Sequence, residues 1–232
     1  AMSWDALAGM KLVCEKFGVD FTGYEVVPFL GTVDATTELI RLAAKDPDWI
    51  YTSMCGGAEA TTMRDIAKLK LKEQGIKFCC ISPGYDDILG IIGWEGLEGM
   101  YHTIGAPCYS MRDKYPEVEV AAKAAMKSVG YSTPQDVPGV YYCGWVQGSA
   151  LAEAIRRAIE NVGGDPADVT GKDVRDAYVS LKDFDSGVIP PVTVTEEKPW
   201  VAGVMGLYVC REGVKVPVTG WITPVSVIEF GK

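Results

Sequence analysis

Apolar positions in the first hundred residues switch between a helical and a strand-like period. From Trp4 to Phe17, Trp4, Leu7, Ala8, Cys14 and Phe17 fall near one helical face, and Gly18 stands where a helix C-cap belongs. Tyr24 to Phe29 is a short β-rich run. Asp34 is placed to cap a helix running through Ala44, with Glu38 in its first turn and Leu39, Ile40, Leu42 and Ala43 on its apolar side. Asp48 to Ser53 predicts a second strand, and Cys55-Gly56-Gly57 a tight turn into a helix from Ala58 to Gln74, closed by Gly75. Lys77 to Ser82 predicts a third strand, and Ser82-Pro83-Gly84-Tyr85 the loop leaving its carboxyl end. A short helix from Asp86 to Ile92 and a strand from Gly99 to Ile104 complete the series. Strands separated by helices at this spacing predict a parallel sheet with helices on its faces.

The texture changes from Ala106 onward. Tyr115 to Val129 and Val140 to Val162 read as longer helices, and Gly163-Gly164-Asp165-Pro166 breaks the second. Thr170 caps a third, Lys172 to Leu181. After Gly187, the runs Val188 to Val194, Trp200 to Arg211 and Val214 to Ile222 have the β-branched content of strands, with Arg211-Glu212-Gly213 as a hairpin turn. The expected organisation is an α/β core over 1–106, a helical part over 107–195 and a β segment over 196–232.

Composition narrows the functions. The 232 residues are 48% apolar and 23% charged, as in globular proteins, and the formal charge is −9 with no cluster of Lys and Arg. Neither a nucleic acid nor an anionic membrane surface finds a basic footprint here. No apolar run approaches the roughly 18 residues needed to span a bilayer. No basic-then-apolar leader opens the sequence, so the expectation is a chain without a signal peptide. Cys14, Cys55, Cys79, Cys80, Cys108, Cys143 and Cys210 are odd in number and irregular in spacing, which fits small buried apolar residues better than a disulfide framework. With no CxxC pair and a single histidine, His102, no metal site is expected. The sequence lacks GxSxG, P-loop and Rossmann fingerprints, and Glu95, Glu98 and Asp86-Asp87 have no partner nucleophile. The expectation is a protein that is not an enzyme, with no catalytic residue and no cofactor.

Seven segments, taken in order, carry a resemblance. They are Trp4 to Gly9; Phe29, Asp34 and Thr36 with Leu39 and Leu42; Pro47-Asp48-Trp49-Ile50; Gly56 to Gly75, with Glu59 and the run KEQGIK; Glu98-Gly99-Met100-Tyr101; Gly144 to Ala158; and Thr170 to Gly187. Their succession resembles the type I periplasmic-binding fold, in the branched-chain amino acid family of ABC-transporter substrate-binding proteins. The resemblance implies a parallel-sheet lobe flanked by helices plus part of a second lobe. It also implies an extracytoplasmic, periplasmic role: binding an amino acid-like solute for an ABC permease. Family members begin with a further half-lobe and a hinge strand, so the chain is expected to be the C-terminal part of such a protein, truncated at its N-terminus. Seven cysteines is many for an exported protein, and a cytoplasmic ligand sensor of the same fold stays open as the alternative.

Ligands of open parallel sheets sit outside the carboxyl ends of the strands. Two such ends are Met54-Cys55-Gly56-Gly57 with Glu59, and Ser82-Pro83-Gly84-Tyr85-Asp86. In the first, glycines admit a ligand to backbone N–H groups at a helix N-terminus that favours a carboxylate. The resemblance implies that these loops supply an aromatic and an acidic residue to the ligand's ammonium group. Gly57 and Gly84 stand at those positions, which leaves Tyr85 or Asp86 to substitute. The candidate ligand-binding set is Cys55, Gly56, Gly57, Glu59, Ser82, Gly84, Tyr85, Asp86 and Trp145; the indole of Trp145 stacks on a ligand or packs in the core. A truncated lobe leaves strand edges and helix faces uncovered, so a homodimer and weak solute binding are expected.

Overall fold

The structure is a computed structural model that describes residues 2–28, 30–54, 56–81, 91–199 and 204–222, with side chains from residue 6 onward. It divides into two compact units. The first takes the described residues up to Thr103 together with Leu207–Val218; the second takes Ile104–Gly206 and residues 219–222.

In the first unit, helix α1 (Met2–Phe17) precedes α2 (Thr36–Ala43), β1 (Trp49–Thr52), α3 (Gly56–Lys68), β2 (Lys77–Ile81), α4 (residues 91–97) and β3 (Tyr101–Ile104). Two later strands, β4 (Gly206–Arg211) and β5 (Val214–Pro217), complete one sheet in the order β1-β2-β3-β4-β5. The unit boundary therefore falls inside β3, at Thr103/Ile104, and inside β4, at Gly206/Leu207. β1, β2 and β3 are parallel, with Trp49 opposite Lys77, Thr52 opposite Cys80 and Cys80 opposite His102.

The segment 196–232, set apart in the sequence reading, does not stand alone. The Cys210 amide donates to the Met100 carbonyl and the Gly99 amide to the Cys210 carbonyl, both at 2.9 Å. An isolated hairpin would leave these groups without partners, and the sheet takes it up. β4 and β5 are antiparallel and joined through Glu212 and Gly213, whose φ values of 52° and 76° are those of a type I′ turn.

A core cluster packs on the sheet. Leu39 from α2, Met63 and Ile66 from α3, and Leu97 from α4 close over Ile50, Phe78, Cys80, Met100 and Cys210. The period-2 pleat turns Trp49 and Tyr51 to the opposite face, where they stay exposed. Two expectations shift. Helix α3 ends at Lys68 and not at Gln74, because Lys70 takes a left-handed conformation (φ 54°) and Leu71 folds back to bond the Ile66 carbonyl at 3.2 Å. The run from Tyr24 is not a strand over its described residues, since no strand among the described residues receives its amides; Phe29 lies outside the described residues.

The second unit holds α5 (Glu117–Val129), α6 (Gly139–Asn161) and α7 (Gly171–Val179). Gly130 ends α5 in the left-handed conformation, φ 91°. Thr170 and Asp173 form a capping box on α7: the Asp173 amide donates to Thr170 Oγ1 at 3.3 Å, and the Thr170 amide donates to Asp173 Oδ2 at 2.9 Å. Ala154 and Ala158 of α6 meet Ala177 of α7, with Val169, Val174 and Tyr178 around them. Val188 to Val194 forms no ladder beyond one bridge, Phe184 with Val192. Residues 200–203, part of another expected strand, lie outside the described residues. Among the described residues no helix is long and apolar enough to cross a membrane.

Candidate functional site

Parallel pairing makes the chain leave β1 and β2 at the same edge of the sheet. From β1 it passes through Ser53 and Met54 to Gly56, which opens α3 at φ +62°, a conformation that L side chains rarely adopt. At Gly57 an added Cβ would find nothing within 4 Å among the described residues. The first N–H groups of this 13-residue helix carry its positive end.

Glu59 lies in that first turn, but its carboxyl is turned into the protein. It is fully buried, accepts a 2.6 Å bond from Thr52 Oγ1 on its Oε1, and has no partner on Oε2. Burial pushes its pKa up to about 7, against the lowering effect of the Thr52 bond. Below that pH the side chain is a neutral acid. Its charge is then absent from the start of α3, and the positive end of the helix stays available to an anion.

Asp65, also fully buried, ties the preceding segment to α3. Its Oδ2 accepts the Ala35 amide at 2.8 Å, and its Oδ1 accepts Arg64 Nε at 3.1 Å and Nη2 at 3.0 Å. Arg64 Nη2 donates also to the Val33 carbonyl at 2.8 Å, and Thr61 Oγ1 to the Thr32 carbonyl at 3.1 Å. Asp34 does not cap α2 by itself. It accepts the Thr36 amide at 2.8 Å, which holds its pKa below the usual value, while Ala35 occupies the cap position.

Of the remaining predicted site residues, Cys55, Ser82, Gly84, Tyr85 and Asp86 lie outside the described residues. Trp145 belongs to the second unit, half-buried on α6. It lines an open groove of about 450 Å³ with Glu117, Ser149, Glu153, Arg156 and the turn Phe184–Ser186. Glu153 accepts Arg156 Nε at 2.8 Å and Arg157 Nε at 2.7 Å, and these bonds bring its pKa down to about 2. His102 is a core residue, 5.2 Å from the Tyr208 ring; burial, and then the Lys215 charge, hold its pKa well below the usual value. None of the described cysteines is in a disulfide. Four are buried (Cys14, Cys80, Cys108 and Cys210), and burial pushes the Cys79 thiol up to about 11, far from a thiolate nucleophile.

The sequence reading did not name Thr52 or Asp65. Thr52 could have been found by parity, since it shares the inward side of β1 with Ile50. Asp65 adjoins the stripe Glu59, Thr62, Met63 and Ile66, whose i, i+3, i+4, i+7 spacing faces the core.

Comparison with known proteins places these features. The chain matches the family described as "Periplasmic binding protein" over residues 1–211. It belongs to that family. Among solved structures, a branched-chain amino acid ABC transporter protein from Thermus thermophilus with bound valine superposes at a TM-score of 0.75 with 19% identity, over 92% of this chain and 56% of that one. A substrate-binding periplasmic protein from Ralstonia solanacearum gives 0.71 and 20%, over 94% and 58%. A fatty acid ABC transporter substrate-binding protein from Thermomonospora curvata gives 0.71 and 20%, over 94% and 54%. Among curated proteins none matches in sequence. The periplasmic binding fold is thus the type I fold, and the chain spans about half the length of the solved structures it resembles. Two of these structures, those from Thermus thermophilus and Thermomonospora curvata, are described as ABC transporter proteins.

Proposed function

We propose that the chain is part of the extracytoplasmic solute-binding component of an ABC importer for amino acids or similar small polar solutes, working with an ABC permease. The observation that carries this reading is the glycine-opened start of α3 at the carboxyl end of β1, beside the exit of β2 and above the neutral acid Glu59. A solute carboxylate at that helix end accepts backbone N–H bonds, and Gly57 leaves it room. Cys55, Gly56, Ser82, Gly84, Tyr85 and Asp86 make up the rest of the site in this reading; Trp145, which belongs to the second unit, is a stacking candidate within that unit. The protein binds and releases, and does no chemistry.

The relatives differ in cargo, with valine bound in one and fatty acid in the description of another, so the solute class is the point to test. Thermal unfolding in the presence of L-valine, L-glutamate, octanoate and benzoate separates the classes. The reading expects the amino acids to raise Tm and the apolar acids to leave it unchanged; a rise with octanoate alone overturns it. A second reading, a cytoplasmic sensor of the same fold, draws on the free thiols of the described cysteines. Fractionation of cells producing the native protein decides between the two compartments.

A further inference from the structure

Two acids of α3 lie fully inside the first unit, and their surroundings differ. Asp65, late in the helix, has the Ala35 amide on one oxygen and the Arg64 guanidinium on the other. Glu59, in the first turn, accepts one bond, from Thr52 Oγ1 at 2.6 Å, and its Oε2 has no partner. A carboxylate enclosed in that way gives up water for a single hydrogen bond, so ionisation drives it toward solvent.

The local chain offers a short way out. The first N–H groups of a helix lack intrahelical acceptors, so its first turn opens at less cost than its middle. Gly56, at φ +62°, and Gly57 stand immediately before Ala58 and Glu59, and glycine turns through backbone conformations closed to other residues. Besides Glu59, the one side chain buried in that turn is Ala58, so opening uncovers little apolar surface.

No counter-charge holds the acid in place. On α3, Arg64 is committed to Asp65 and the Val33 carbonyl, and Lys68 is exposed. Glu38 of α2 is half-buried, while Arg41 of α2 and Glu95 and Glu98 of α4 are exposed. Across the sheet, Cys80 lies opposite Thr52 and His102 opposite Cys80; burial, and then Lys215, hold His102 well below its ordinary pKa. Burial also keeps Tyr51 and Cys79 protonated, at about 12 and about 11. Glu59 answers to burial and to the Thr52 bond, and burial wins, raising it to about 7.

We infer that Glu59 is a proton-operated latch on the start of α3. Protonated, it stays inside on Thr52, and the helix is formed from Gly56 onward. Ionised, it gives its proton to solvent, and the first turn unwinds about Gly56 and Gly57 to carry the carboxylate out to water. The latch concerns the chain without solute, so its failure would leave the transport reading intact.

Amide hydrogen exchange on the full 232-residue chain without solute, corrected for the intrinsic pH dependence of exchange, tests it. The amides of Ala60, Thr61 and Thr62 bond the carbonyls of Gly56, Gly57 and Ala58 and report the first turn; those of Ile66, Ala67 and Lys68 report the far end. Opening of the first set should rise at least tenfold from pH 5 to pH 8, with the second set unchanged. In Glu59→Gln, whose fold circular dichroism checks, that rise should be absent. Carbon-13 NMR of the Glu59 carboxyl gives a variant-free readout: the group should ionise by pH 8 as the first turn opens. Ionisation while the first turn keeps its protection overturns the inference. So does a rise that persists in Glu59→Gln, or one shared by the whole of α3, which would mean that the charge loosens the fold at large.

Discussion

The two units solve the packing problem with different materials. The first unit packs large side chains (Phe78, Ile66, Leu97 and Met100) in its core and also buries two carboxyls, Glu59 and Asp65. Between α6 and α7 the seam is built from Ala154, Ala158 and Ala177, and the acids of α6 lie outside it in exposed pairs such as Arg156 with Glu153 and with Glu160. A buried acid costs free energy unless it is satisfied or neutral. Asp65 is satisfied by an amide and a guanidinium. Glu59 keeps one oxygen without a partner and stays neutral up to about pH 7. The first unit thus meets the cost of buried acids that the helical seam avoids.

The largest expected effect lies in the first unit. Phe78 is 1% exposed in the core, and Phe78→Ala should destabilise by about 3–5 kcal/mol in urea unfolding. Next comes Glu59→Gln, which keeps the Thr52 contact and removes the charge. Because burial raises the folded-state pKa above the unfolded one, stability is fully present below about pH 4.5 and is lost as pH rises through about 7. A shift of that size corresponds to about 3 kcal/mol, so urea unfolding should show the variant gaining on the parent by up to that amount between pH 4.5 and 8. His102 titrates with the opposite sign: its depressed pKa means stability is lost as pH falls below about 6.5. Since it is present in both proteins, it cancels in the difference.

In the second unit the effects should be smaller and independent of pH over that range. Gly187 sits at φ +71°, and a Cβ there would come within 2.3 Å of Glu117 Cγ at the start of α5. Gly187→Ala should cost about 1–3 kcal/mol, read from the same unfolding curves. Thr170→Ala removes the cap of α7 and should cost about 1 kcal/mol, with a matching loss of helical circular dichroism on heating.

Much of this architecture was legible because its determinants are local. Thr170 with Asp173, Gly130, and Glu212-Gly213 are chemical instructions contained within a few residues, and the helices and the turn they set lie within about two residues of expectation, whereas the strand after the turn stops at Pro217, five residues short of the expected Ile222. Tyr24 to Phe29 misled because a strand exists only where a neighbour takes its amides, and composition does not supply the neighbour. The end of α3 depended on a left-handed residue at Lys70, for which a lysine gives no warning. At the site, the glycines were legible from their turn chemistry. The inward turn of Glu59 was not, since it depends on Thr52, seven positions away on another element.

The direct test of the central claim, that the glycine-opened start of α3 receives the solute's carboxylate, is an NMR titration with L-valine. Amide spectra of the parent chain should show shifts at Gly56, Gly57 and Glu59, even if binding is weak. Gly57→Val should lose those shifts without losing stability, because a Cβ there meets none of the described residues within 4 Å. Shifts confined to other residues, or an unchanged response in Gly57→Val, would contradict the account.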